Sequence, residues 1–112
     1  MPDKFLPEFE LYVLLAVARL GDAAYGVRIR QEIEARTDRP ISVGALYATL
    51  ARLAEKGLLL QEVAEPRPGA RGRPRKYCRL TASGKRALSH STEMLGRMVA
   101  GTPFALGQQE GR

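Results

Sequence analysis

Three segments with helix signals, two short strand-like segments around a cationic Pro/Gly loop, and one further helical segment predict a mainly α fold with a small β-hairpin. That order is a winged helix-turn-helix domain over residues 1–81, a C-terminal dimerisation helix over 82–101 and a disordered tail over 102–112. The 112 residues, 45% of them apolar, suffice for about one domain with a small core.

Pro7-Glu8 followed by FELYVLLAVARL reads as the first helix. Proline is tolerated in a first turn, the acids suit the positive helix end, and Gly21 can stop it. Its broad apolar surface makes it the central core helix. Gly21-Asp22 turns the chain into YGVRIRQEIEART, which places Tyr25, Ile29 and Ile33 on one face with charge opposite. Thr37-Asp38-Arg39-Pro40 breaks that second helix.

Ser42 is placed to cap a third helix, VGALYATLARLAEK, which ends at Gly57. At about 100° per residue, Val43, Leu46, Tyr47, Leu50, Leu53 and Ala54 form the apolar sector. The opposite sector holds Gly44, Ala45, Ala48, Thr49, Arg52, Glu55 and Lys56. Its small residues would let the backbone approach a grooved partner closely.

LLLQEVA (58–64) and KYCRLT (76–81) read as hairpin strands, with the Pro/Gly/Arg segment as their loop. TASGKRALSHSTEMLGRMVAG forms the last helix, with Leu88, Leu95 and Val99 on one stripe and Met94 and Met98 beside it. So small a core leaves that stripe without a partner, which marks it as a dimer interface. The segment from Thr102 to Arg112 has no periodicity and is expected to fray.

The net charge of +6 is local. From Arg67 to Arg86 there are eight Lys or Arg and no acid, against ten basic and twelve acidic residues elsewhere. A cationic hairpin beside a small-faced helix points to duplex DNA. A helix fits the major groove, and a basic wing meets phosphates or the minor groove. Arg71, Arg73, Arg75 and Lys76 are the wing candidates. Arg71-Gly72-Arg73-Pro74 also matches the core of an AT-hook. On the third helix, Ala45, Ala48, Thr49 and Arg52 are placed at or near base edges, with Ser42, Gly44 and Tyr47 completing the surface. Tyr47 borders the apolar sector and is read either as a buried ring with its hydroxyl at the surface or as a phosphate donor through that hydroxyl.

Other function classes find little support. His90 is the only histidine and Cys78 the only cysteine, so no metal set, general-base pair or internal disulfide is expected. No phosphate-binding Gly loop or nucleophile elbow is present. The expectation is therefore no enzyme and no cofactor. The longest apolar run, Leu11 to Ala18, is far short of the roughly 20 residues that span a bilayer. With acids ahead of it there is no signal-peptide pattern, and a cytoplasmic, non-membrane protein is expected. A winged-helix protein-interaction module is the alternative reading. RNA binding is disfavoured because aromatic platforms for unstacked bases are lacking.

The chain also resembles the PadR-like transcriptional regulators. The matching residues are Leu14-Leu15-Ala16 with Tyr25-Gly26, SVGALYATLARLAEKGLL (42–59) and GRPRKYCRLTASGKRAL (72–88). Members of that family are bacterial dimeric repressors. The resemblance implies binding of double-stranded DNA through the third helix and wing, a homodimer through the C-terminal helix, and often relief by a small-molecule effector. Cys78 departs from the family's usual aromatic. The C-terminal region is short, as in the family's compact subgroup.

Overall fold

The computed structural model describes residues 6–64 and 75–105. Helix α1 spans Glu8–Leu20, with Pro7 at the N-cap position and Glu8 and Glu10 in the first turn. Gly21 ends it at φ 55°, a conformation costly for any side chain. Val13, Leu14, Ala16 and Val17 are buried, and α1 touches every later helix and one strand. It is the central helix that its broad apolar surface predicts.

A 3-10 turn, Gly21–Ala23, leads to Ala24 and Tyr25 and then to α2, Gly26–Thr37. Ile29 and Ile33 face inward. Asp38, in the left-handed region at φ 57°, closes the helix by donating its N–H to the Glu34 carbonyl at 2.9 Å. The Glu34 carboxylate accepts from the Ile41 N–H at 2.8 Å, and Arg30 donates to the Ile41 carbonyl at 3.3 Å. The short connection is thereby tied to α2, which sets where the next helix begins.

Helix α3 spans Val43–Glu55, and the Ser42 hydroxyl accepts from the Ala45 N–H at 3.0 Å, the expected cap. Its buried stripe is Leu46, Thr49, Leu50 and Leu53. This corrects the expected sectors: Val43 and Tyr47 are 52% and 48% exposed, while Thr49 is 2% exposed. The helix is rotated toward Thr49, whose buried hydroxyl is satisfied by accepting from Arg52 Nη2 at 3.1 Å. A satisfied hydroxyl is tolerated in a core.

Strands β1 (Leu59–Val63) and β2 (Lys76–Leu80) pair antiparallel with Leu59 opposite Leu80 and Gln61 opposite Cys78. On its other edge β2 meets the residues before α2. The Cys78 N–H donates to the Ala24 carbonyl at 2.8 Å, and Tyr25 bridges Tyr77. The hairpin is thus anchored to the helical core through backbone hydrogen bonds that no periodicity foretells.

Helix α4, Ala82–Val99, starts on Thr81, whose hydroxyl accepts from the Gly84 N–H at 2.9 Å and donates to the Gly57 carbonyl at 2.6 Å. A Cβ at Gly84 would run into the Leu58 carbonyl. The Thr-x-x-Gly spacing therefore joins a helix cap to a close backbone approach. Leu88, expected on the apolar stripe of this helix, is buried within the chain's own core. Beyond it, Met94 and Val99 are half-buried, whereas Leu95 and Met98 stand 53% and 77% exposed.

Candidate nucleic-acid interface

The middle of the α3 outer face is Gly44, Ala48 and Ala51, with Ala45 on one flank and Tyr47 on the other, all exposed. Nothing longer than a methyl group stands along that middle until Glu55, so the helix backbone can come close to a wide groove. Ser42 is exposed at the start of this face, with its oxygen already engaged as the cap.

Tyr47 packs against the first residue of α2. A Cβ at Gly26 would overlap the Tyr47 hydroxyl and ring carbon Cζ, so glycine is what lets the ring lie there. Its hydroxyl thus stands at the N-terminal, partially positive end of α2. The ring forms one wall of a groove of about 790 Å³ that separates α3 from the wing, lined also by Tyr25, Val27, Ala51, Gln61 and Lys76.

Across this groove the Arg75 guanidinium lies 4.3 Å from the Tyr25 ring centroid, and Tyr25 meets Tyr77 edge-on at 5.4 Å and 74°. Stacking of this kind holds a cation without neutralising it. Lys76, exposed, follows at the start of β2. Arg79 pairs with Glu62 at 3.1 Å across the hairpin, which takes its charge out of the set. Arg71 and Arg73 lie outside the described residues. Beneath the groove, burial pushes the Cys78 thiol above its ordinary range, and the Gln61 hydrogen bond and nearby Lys76 offset this only in part.

Arg52 is not free as its sector implied. Its Nε donates to Glu10 Oε2 at 3.1 Å, and Lys56 Nζ donates to both Glu10 oxygens at 2.8 and 3.0 Å. Burial alone would raise the Glu10 pKa, yet the hydrogen bonds and charges of Lys56 and Arg52 outweigh it and hold the carboxyl below its usual range. Thr49, as its burial requires, points away from any groove-bound partner. The expected base-edge positions Thr49 and Arg52 are thus turned toward the protein by one network, while Gly44, Ala45, Ala48 and Tyr47 stay on the accessible surface.

Two members of the site were not singled out from the sequence. Tyr25 reads from the sequence as a helix-face residue, but its ring meets Tyr77 edge-on and carries the Arg75 guanidinium, while the next residue, Gly26, seats the Tyr47 ring. Glu10 reads as a first-turn acid; its one signal is a place three and four residues before Val13 and Leu14, on the buried face.

The model of the Transcriptional regulator PadR-like family matches residues 14–90. Among solved structures, a PadR-like transcription factor from Bacteroides fragilis is 30% identical, with TM-score 0.66 over 81% of this chain and 85% of that one. A winged-helix DNA-binding protein from STIV is 26% identical, with TM-score 0.70 over 88% and 98%. A transcriptional regulator from Clostridium thermocellum is 25% identical, with TM-score 0.65 over 80% and 81%. A search of curated protein sequences gave no match. Among the described residues no helix is long and apolar enough to cross a membrane. With a cap-and-glycine junction, a Gly26-seated tyrosine and a hairpin wing all falling inside the matched span, the chain belongs to the PadR-like family of winged-helix transcriptional regulators.

Proposed function

We propose that this chain is a homodimeric repressor that binds duplex DNA, with the N-terminal half of α3 in the major groove and the wing on the adjacent backbone. The observation that carries this reading is the exposed face of Gly44, Ala45 and Ala48, flanked by Tyr47 and faced across a groove by Arg75 and Lys76. A bare helix backbone suits base edges, and cations beside it suit phosphates. Arg71 and Arg73, candidates from the sequence, add to the cationic set.

The second half of α4 supports the homodimer. Leu95 and Met98 leave apolar surface in water, with Met94 and Val99 half-covered beside them. A two-fold pairing there would place the two α3 helices about one DNA turn apart, or a multiple of it, and favour an inverted repeat. Repression relieved by a small effector is the family's habit and extends this reading.

Fluorescence anisotropy with labelled duplexes tests it. Binding should weaken steeply as salt rises, with a log K against log salt slope of roughly one unit per phosphate contacted. Replacing Arg75 and Lys76 by Ala, with Arg71 and Arg73, should flatten that slope. Salt-insensitive association, or none, would instead point to a protein partner for the same surface.

A further inference from the structure

A carboxylate only 2% exposed is costly to desolvate, and Glu10 sits among apolar neighbours on α1. Its two partners lie one turn apart on the same flank of α3, beside the Ala45 and Ala48 surface. Both keep much of their length outside, Arg52 at 50% and Lys56 at 36% exposure. Lys56 spends its ammonium on both Glu10 oxygens, and Arg52 spends one edge of its guanidinium on Glu10 and Thr49. Two cations on the DNA-facing helix are thus bent back onto α1 and neutralised there in part.

We propose that Glu10 is a specificity-determining positioning residue, which holds Arg52 and Lys56 off the phosphates of arbitrary duplexes so that tight binding depends on the fit of the small α3 face. This rests on the DNA-binding reading above. Phosphate contacts raise affinity for every sequence alike, whereas base contacts discriminate. Withdrawing cations from the backbone therefore lowers non-specific binding without touching the base-reading surface. The single carboxylate serves two cations, so its removal releases both at once.

The experiment is Glu10→Gln in the full chain, binding a labelled duplex of random sequence across a salt series. Glu10→Gln should bind that duplex more tightly at low salt, and its log K against log salt slope should steepen by roughly one to two units, about 0.9 per phosphate gained. Adding Lys56→Met should remove about one unit of that gain. Lys56→Met alone should leave the wild-type slope unchanged, because its charge is already withheld. A merely structural role predicts a Glu10→Gln slope equal to wild type or shallower, and that result overturns the inference while wild-type binding leaves the DNA reading standing. If Glu10→Gln does not fold by circular dichroism, Lys56→Met alone decides: a shallower slope shows Lys56 on phosphates already and overturns the proposal. Wild-type protein that binds no duplex overturns both.

Discussion

Replacing Gly26 by Ala adds one methyl group where the Tyr47 ring already lies, and its consequences separate the fold from the interface. The new Cβ overlaps the Tyr47 hydroxyl and Cζ. These atoms end a side chain that is 48% exposed, so the ring can swing into solvent while the backbone stays. An aromatic side chain that gives up burial on the order of 100 Å² loses about 2.5 kcal/mol at about 25 cal/mol per Å². Alanine returns up to about 1 kcal/mol of helix propensity. The net loss is then about 1.5 kcal/mol, too little to unfold a domain of this size. Binding should suffer more. If the Tyr47 hydroxyl donates to a phosphate, a bond to a charged group worth about 1.5 to 3 kcal/mol disappears, roughly 10- to 150-fold in affinity. Thermal denaturation and duplex anisotropy on the same sample read both quantities. Tyr47→Phe is the companion, since it keeps the ring seated and removes only the hydroxyl. Wild-type affinity in both variants would take Tyr47 off the interface. A stability loss above about 4 kcal/mol in Gly26→Ala would mean that the ring cannot give way as argued.

Gly84→Ala should behave in the opposite manner, because its Cβ meets the Leu58 backbone carbonyl, which cannot swing aside. Overpacking of about 1 to 3 kcal/mol should exceed the gain in propensity, so the melting temperature falls while the salt slope of DNA binding in the folded protein is unchanged. Leu95→Asp places a charge on the exposed α4 stripe; sedimentation should show a monomer of intact helicity with most affinity for an inverted repeat gone, and a persisting dimer would clear α4 of that role. Acid should weaken the α1–α3 clamp. Because Glu10 is held below the ordinary carboxylate value of 4.5, its ionised form favours the folded state, and that contribution is present above this value and fades as pH falls through the lower folded one. Urea melts of wild type and Glu10→Gln should therefore converge as pH is lowered from about 6 to about 3, and a gap that widens would reverse the sign of the argument.

Element order, helix ends and the hairpin were legible in the linear chain because their causes are local. Gly21 at positive φ, the Ser42 cap and the turn at Gly57 each act over three or four residues, a range that pattern and propensity cover. The cationic character of the segment from Arg67 to Arg86 needs no folding to be read. The rotation of α3 was decided only by the tertiary structure. Hydropathy places Tyr47 inside and Thr49 outside, but Gly26 on α2 offers the ring a surface seat, and Arg52 donates to the buried Thr49 hydroxyl.

The same holds for the charges and for the last helix. In sequence Arg52 and Lys56 are two exposed cations on the third helix; Glu10, more than forty residues earlier, pairs with both only when α1 crosses α3. Leu88 and Leu95 occupy one stripe of α4, yet one is core and the other is surface. A helix of 18 residues runs about 27 Å and outreaches the small core on which it starts. Sequence alone could determine what each segment becomes, since that depends on neighbours along the chain. Which face of a segment is spent on the fold and which remains accessible depends on partners that only packing brings together.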